Sequence, residues 1–141
     1  MSAVQGGVIS VVLCDDVPQL RTLLRFAFDE QDDLRVVAEA GDGAAGVDAI
    51  VRLQPDAVIL DLSMPGLDGL ETIPRIMASS PATAIIVFSG FTADRMAEEA
   101  LALGADAYLE KGEDMDVVAA VVRDAVTRRR ATLGERPAAG A

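Results

Sequence analysis

Three acidic residues and one lysine occur at positions where they could form a single site. Asp15 and Asp16 follow one short apolar run, and Asp61 directly follows another. Carboxylates brought close together repel one another, and a hard divalent cation with oxygen ligands would relieve that repulsion. These acids therefore indicate a Mg²⁺ site, provided that the fold brings them together.

Lys111 and Ser89 could add contacts to a phosphoryl group at such a site. Lys111 is the only lysine among the 12 basic residues, and its compact ammonium could reach into an acidic cleft. Ser89 offers a hydroxyl donor at the end of another apolar run, and Gly90 leaves space beside it. A plainer interpretation is also open, in which the acids cap helices, Ser89 is a turn residue and Lys111 is a surface residue.

The apolar patterns predict five strands that alternate with five helices. The strand candidates are residues 8–14, 34–40, 57–60, 83–88 and 106–109. The first helix begins near Pro18 with Asp16 or a neighbour as its cap, the second ends near Pro55, and the others span residues 68–78, 92–103 and 114–129. Such alternation predicts an α/β fold with a parallel sheet covered by helices on both faces.

Helical spacing also predicts which apolar side chains face the sheet. The inward residues are Leu20, Leu23, Leu24, Ala27 and Phe28 in the first helix, Val47, Ile50, Val51 and Leu53 in the second, and Val117, Val118, Val121, Val122, Ala125 and Val126 in the last. Pro74 lies inside the third helix, where we expect a kink or a late start.

Composition limits the classes of function. The 141 residues suffice for one domain, and the formal net charge of −11 disfavours direct contact with nucleic acids or anionic membranes. The absence of histidine excludes histidine-based catalysis and histidine metal ligands, and the lone Cys14 reads as a small buried residue. No segment resembles a membrane span or a signal peptide, so we expect a cytoplasmic location.

In an open parallel sheet, ligands bind beyond the carboxyl ends of the strands. Asp15 and Asp16 end the first strand, Asp61 the third and Ser89 the fourth, and Lys111 follows the fifth. If the first and third strands are neighbours, the three carboxylates converge.

These residues, in this order and spacing, resemble the receiver domain of two-component response regulators. The resemblance rests on the acid pair, on Asp61 before the stretch Met64-Pro65-Gly66-Leu67-Asp68-Gly69, on Ser89, and on Lys111 after Gly104-Ala105-Asp106-Ala107-Tyr108-Leu109. It covers residues 8–129, which leaves 1–7 as an extension and 130–141 as a tail that we expect to be disordered. It implies a flavodoxin-like three-layer sandwich with five parallel strands in the order 2-1-3-4-5 and five helices.

The resemblance assigns a role to each site residue. Asp61 would be the phosphoacceptor, receiving its phosphoryl group from a histidine kinase or a phosphotransfer protein. Asp16, Asp61 and the backbone carbonyl of Ser63 would hold Mg²⁺ directly, and Asp15 would do so through water. Ser89 and Lys111 would contact phosphoryl oxygens, and Tyr108 would match the aromatic switch of the family.

Two departures from the family pattern affect these expectations. Many members have proline after the lysine, often with a cis bond, whereas Gly112 stands here, so no cis peptide is expected. Ser63 and Phe91 occupy positions that tune hydrolysis in the family, which leaves the lifetime of the phosphoryl group open.

We therefore interpret the chain as a stand-alone or excised receiver, a switch whose own catalysis is limited to self-phosphorylation and self-dephosphorylation. Its output face would comprise the fourth helix, fifth strand and fifth helix, with a homodimer as one option. The local sequence of the third strand and the following turn resembles that of receivers that precede a helix-turn-helix domain. The run Arg128-Arg129-Arg130, however, is interpreted as a charge cluster at a helix end rather than as a DNA contact. Two alternatives are a Mg²⁺-dependent phosphohydrolase of small substrates and a receiver-like scaffold that is never phosphorylated.

Overall fold

The computed structural model of the chain describes residues 7–64 and 69–135. Its strands are β1 (Ile9–Cys14), β2 (Leu34–Ala40), β3 (Ala57–Leu60), β4 (Ala84–Ser89) and β5 (Ala107–Glu110). Its helices are α1 (Pro18–Asp29), α2 (Gly43–Leu53), α3 (Gly69–Ser79), α4 (Ala93–Ala102) and α5 (Met115–Glu135). The Pro65-Gly66 turn, the predicted helix start at Asp68, residues 1–6 and residues 136–141 lie outside the described ranges.

All five strands are parallel, in the order β2-β1-β3-β4-β5, which confirms the predicted fold. Side chains alternate between the two faces of the sheet, so each face has its own core. One core joins the sheet to α1 and α5 through residues such as Leu24, Phe28 and Val122. The other joins it to α2, α3 and α4 through residues such as Ile50, Ile76 and Ala100. Because β3 and β4 are buried along their whole length, their sequences are apolar runs, broken only by Ser89 at the end of β4.

The predicted inner faces of the helices are only partly right. Four residues that we expected to face inward are exposed: Leu23 at 50%, Val51 at 48%, Leu53 at 39% and Val117 at 40%. In α2 the buried face consists of Gly43, Gly46, Ala49 and Ile50. The close approach of α2 to the sheet requires small residues there, and a search for large apolar residues at helical spacing therefore selects the wrong face.

The last helix continues past Arg129 to Glu135, so residues 130–135 are helical and our expectation of a disordered tail is wrong for them. Arginines of α5 form ion pairs with acids that immediately precede three of the strands. Arg123 pairs with Asp33 (2.7 Å), Arg129 with Asp106 (2.6 Å) and Arg130 with Asp56 (3.4 Å). These pairs fasten α5 to the amino-terminal edge of the sheet, and the arginines are structural rather than a charge cluster at the helix end.

Among the helices of the described residues, none combines the length and apolarity needed to cross a membrane.

Cys14 of β1 packs against Gly46 of α2. The Cys14 side chain is buried, and burial, with a smaller contribution from the charge of Asp15, raises the pKa of its thiol to about 12. A Cβ atom added at Gly46 would lie 2.8 Å from Cys14 Sγ, which is too close for a normal contact. Glycine at this position therefore sets the distance between the helix and the strand that carries Asp15 and Asp16.

We expect Gly46→Ala to destabilise the protein despite the better helix propensity of alanine. The propensity gain is at most about 1 kcal/mol, whereas overpacking of a core costs about 1–3 kcal/mol. Cys14→Ala removes the sulfur that the new Cβ would meet. Urea melts of the two single variants and of the double variant should therefore give a favourable coupling free energy of about 1 kcal/mol or more. Gly90→Ala is the matched control, because its new Cβ meets no atom within 4 Å. Additive effects of Gly46→Ala and Cys14→Ala would contradict the proposed contact.

Candidate functional site

The site lies at the carboxyl-terminal edge of the sheet, where β1, β3, β4 and β5 end. Backbone hydrogen bonds continue the sheet beyond the strand ends: Asp15 N–H donates to Ala40 (3.0 Å), Asp61 N–H to Cys14 (2.9 Å) and Lys111 N–H to Ser89 (2.7 Å). The backbone of these residues is thus as fixed as that of the strands. This regularity explains why residues distant in sequence meet with defined geometry.

Asp15, Asp16 and Asp61 converge as the strand arrangement predicts. One carboxylate oxygen from each lies within 4.8 Å of the others. Asp15 and Asp61 are buried, and Asp16 is exposed at the rim. At this separation two unit charges repel by about 3 kcal/mol at an effective dielectric constant near 20. The cluster therefore requires a compensating positive charge.

Lys111 supplies part of that charge. Its Nζ lies 2.9 Å from Asp15 Oδ2 and 3.4 Å from Asp61 Oδ2. Burial alone lowers the pKa of Lys111, but the hydrogen bond to Asp15 and the charges of both acids outweigh it and raise the pKa above its usual value. The ammonium is therefore protonated at neutral pH, and one positive charge faces three negative ones.

The two carboxylate oxygens of Asp61 have different surroundings. Oδ1 accepts hydrogen bonds from the backbone N–H (3.1 Å) and the hydroxyl (3.0 Å) of Ser63. Oδ2 is buried and has no hydrogen-bond partner among the described residues, although the Lys111 ammonium lies 3.4 Å away as an ion-pair partner. A buried, unsatisfied carboxylate oxygen is costly unless a ligand completes its environment. Three carboxylates with such an orphaned oxygen fit a hard cation with oxygen ligands.

Asp15 is held at every polar atom. Its Oδ1 accepts from the backbone N–H of Val17 (2.8 Å), and Val17, which has no side-chain cap, is the N-cap of α1. The sequence left open whether Asp16 or a neighbour contacts the helix start; it is the neighbour Asp15 that does so, and the Asp16 side chain makes no hydrogen bond or ion pair to the described residues. The carboxylate directly before the turn is the one that reaches the helix start, which leaves Asp16 free at the rim.

Ser89 and Tyr108 both contact the loop between β4 and α4. The buried Ser89 Oγ accepts from the backbone N–H of Phe91 (3.0 Å), and the half-buried Tyr108 hydroxyl donates to the carbonyl of Phe91 (2.8 Å). The two residues that the sequence assigned to phosphoryl contact and switching are therefore linked through a single backbone residue.

Sequence reasoning missed two residues near the site. Glu110 Oε2 accepts from the backbone N–H of Ala93 (2.8 Å) and so caps α4 from β5, whereas Thr92, at the N-cap position, makes no side-chain cap. Arg21 donates from Nη1 to the carbonyl of Asp15 (2.5 Å) and from Nε to Glu39 (3.0 Å). Both are charged residues at element ends, but only the fold reveals their partners.

Gly112 follows Lys111 with φ +103°, a left-handed conformation that proline cannot adopt. No cis peptide bond occurs in the described ranges, as the glycine at this position predicts.

Comparisons with known proteins agree with this geometry. Residues 11–123 match the family model of the response regulator receiver domain. The nitrate/nitrite response regulator protein NarL of Escherichia coli (strain K12) is 39% identical over 102 residues, which are 72% of this chain and 47% of NarL. The transcriptional regulatory protein LiaR of Bacillus subtilis (strain 168) is 36% identical over 127 residues, covering 90% of this chain and 57% of LiaR.

Solved structures give the same result. The response regulator domain of Thermotoga maritima CheB is similar with a TM-score of 0.79 and 29% identity, over 85% of this chain and 97% of that domain. The chain spans about half the length of the curated regulators NarL and LiaR, with shares of 47% and 57%.

The substitution Asp61→Asn tests whether the three carboxylates interact as one site or are independently solvated at the rim. The substitution removes the desolvation of a buried charge and two charge repulsions but only one ion pair, that with Lys111, and the amide oxygen of Asn can still accept the hydrogen bonds from Ser63. We therefore expect it to stabilise the metal-free protein by about 1 kcal/mol after screening by water. Millimolar Mg²⁺ should stabilise the wild type more than Asp61→Asn, because the variant lacks a ligand and the cation binds only the folded state.

The measurement is a set of urea melts with EDTA and with Mg²⁺, and Asp48→Asn, an exposed acid on α2, is the control. A marked loss of stability of Asp61→Asn in EDTA, with no Mg²⁺ effect on either protein, would show that the three carboxylates do not form one site.

Proposed function

This chain belongs to the response regulator receiver domain family, and on that premise we propose that it accepts a phosphoryl group on Asp61 and thereby switches a partner-binding face. The observation that carries the proposal is the orphaned Oδ2 of Asp61. That oxygen is buried, faces the acid cluster and Lys111, and accepts no hydrogen bond from the described residues. A carboxylate oxygen that accepts no hydrogen bond from these residues is suited to act as a nucleophile.

The neighbouring acids are less suitable acceptors. Both oxygens of Asp15 are occupied, one by Val17 N–H and the other by Lys111. Asp16 is exposed, so water would compete for its oxygens. In the reaction that we propose, Asp61 Oδ2 attacks the phosphorus of a phosphohistidine. The new P–O bond forms as the P–N bond breaks, and the imidazole of the donor leaves.

The residues present fit Mg²⁺. Asp16, Asp61 and the backbone carbonyl of Ser63 would hold it directly, and Asp15 would do so through water. When bound, the cation supplies neutralisation of the charge on the transferring phosphoryl group. The contribution of the protein is then mostly positioning: Ser63 orients Asp61 by two hydrogen bonds to Oδ1, which directs Oδ2 toward the donor.

Lys111 and Ser89 would contact the transferred group. The ammonium that bridges Asp15 and Asp61 would take a phosphoryl oxygen as a further partner, which offsets the added negative charge. The Ser89 oxygen already accepts from Phe91 N–H, so its own proton is available to donate to a phosphoryl oxygen. A shift of Ser89 toward the phosphoryl group would then pull on Phe91 and on the Tyr108 hydroxyl bonded to it.

This connection supports an output face formed by α4, β5 and α5. The exposed side chains of Ser63 and Phe91 flank the site and would set the lifetime of the phosphoryl group by controlling access of water. The phosphodonor would be a sensor histidine kinase or a phosphotransfer protein in the cytoplasm. The output would be a protein partner, a DNA-binding domain of a longer chain, or a second copy of this one.

We expect incubation with Mg²⁺ and a small phosphodonor, or with the cognate kinase, to phosphorylate Asp61. Borohydride or hydroxylamine trapping followed by mass spectrometry locates the modified residue. Asp61→Asn should lose the modification, and Asp48→Asn should retain it at the wild-type level. Modification of another residue with Asp61 untouched would refute the assignment, and continuous release of product from a phosphate ester would favour a phosphohydrolase instead.

The beryllofluoride complex that mimics a phosphoryl group should change the backbone amide spectrum beyond the site. With Mg²⁺, we expect shifts at Tyr108 and along α4, since Phe91 links these elements to Ser89. Asp61→Asn under the same conditions is the control and should show none of these shifts. Shifts confined to residues 15–17, 61–64 and 110–112 would support a scaffold without a switch.

A further inference from the structure

We infer that Arg21 is a positioning residue for the cation site, acting through the peptide group that joins Asp15 to Asp16. The inference rests on the proposed function, because it concerns the same site. Arg21 belongs to α1 but contacts the ends of two strands, with Nη1 on the Asp15 carbonyl and Nε on Glu39 of β2. Its side chain is only 20% exposed, and that of Glu39 is 23% exposed.

Asp16 depends on this contact more than its neighbours do. The carboxylate of Asp15 is fixed by Val17 and Lys111, and that of Asp61 by Ser63. The carboxylate of Asp16 has no such partner among the described residues, so its position follows from its backbone. Because a peptide unit is planar, a hydrogen bond to the Asp15 carbonyl also orients the N–H and Cα of Asp16.

Glu39 gives the guanidinium its orientation. A planar guanidinium with a carboxylate on one side can present its remaining N–H groups in only a few directions. Arg25, one turn along α1, pairs with the second oxygen of Glu39 and holds that carboxylate from the other side. The chain of contacts therefore runs from Glu39 through Arg21 to the backbone at Asp16.

Arg21 has two opposite effects on a bound cation. As a positive charge near the acids it repels Mg²⁺, and as a support for Asp16 it holds a ligand in place. The ion pair with Glu39 offsets most of the charge of Arg21, whereas loss of an outer contact that orients a ligand typically weakens metal binding by about 10–100-fold. Positioning is therefore the larger effect, and removal of Arg21 should weaken Mg²⁺ binding rather than strengthen it.

The test measures the Mg²⁺ dissociation constant from the Mg²⁺ dependence of the urea midpoint, with each variant compared with itself in EDTA. We expect Arg21→Met and Arg21→Lys to bind Mg²⁺ about tenfold more weakly than the wild type. Arg52→Met, which removes an exposed cation of α2 whose partner is Asp48, should remain within about twofold. Unchanged or tighter binding by Arg21→Met, or wild-type binding by Arg21→Lys, would overturn the inference.

A second measurement separates positioning from a general structural role. In phosphorylation by acetyl phosphate, the Mg²⁺ concentration for half-maximal rate should rise about tenfold in Arg21→Met, and the maximal rate should stay within about twofold. A lower maximal rate at unchanged half-saturation would contradict positioning. If Arg21→Met does not fold, Glu39→Ala, which removes the carboxylate that pairs with Arg21 and Arg25, should raise the half-saturating concentration several-fold, and no change would overturn the inference.

The two proposals fail in different ways. If the wild type neither binds Mg²⁺ nor becomes phosphorylated, the proposed function is wrong. If the wild type does both and the Arg21 variants match it, only the role of Arg21 is wrong.

Discussion

The repulsion among Asp15, Asp16 and Asp61 is the interaction on which the rest of the structure depends. The sheet brings these carboxylates within 4.8 Å, and a single ammonium, that of Lys111, lies among them. The folded protein therefore keeps a site with excess negative charge and a buried carboxylate oxygen that accepts no hydrogen bond from residues 7–64 and 69–135. A cation that offsets this charge would be favoured there.

The opposite edge of the sheet shows how the same residue type behaves when its charge is fully compensated. There Asp33, Asp56 and Asp106 precede strands, and each pairs with an arginine of α5. Arginine is suited to such fixed pairs because its planar group binds a carboxylate in a defined geometry, whereas lysine is a more mobile point charge. The division of basic residues, with the one lysine at the site and arginines at the structural pairs, follows from this difference.

Between the acid site and α4, the loop from Ser89 to Ala93 is held by side chains rather than by regular backbone bonds. Ser89 and Tyr108 bind the two sides of Phe91, and Glu110 caps the first turn of α4. Each of these contacts is a single hydrogen bond, worth about 1 kcal/mol. A loop held by a few such contacts would move at smaller cost than the strands beside it.

The sequence by itself determined the order of the elements and the parallel sheet, because burial periodicity and turn residues are local properties of the chain. It placed the acids, Ser89 and Lys111 at strand ends, whereas the role expected of Tyr108 came only from the resemblance to receiver domains. Only the tertiary structure decided that Asp15 and not Asp16 reaches the start of α1, that small residues line α2, and that α5 continues to Glu135. It also decided the pairing of Arg21 with Glu39 and of Arg123 with Asp33, which are 18 and 90 residues apart. Such pairs form because the sheet brings strand ends together, and a local pattern carries no information about which distant charge will be there.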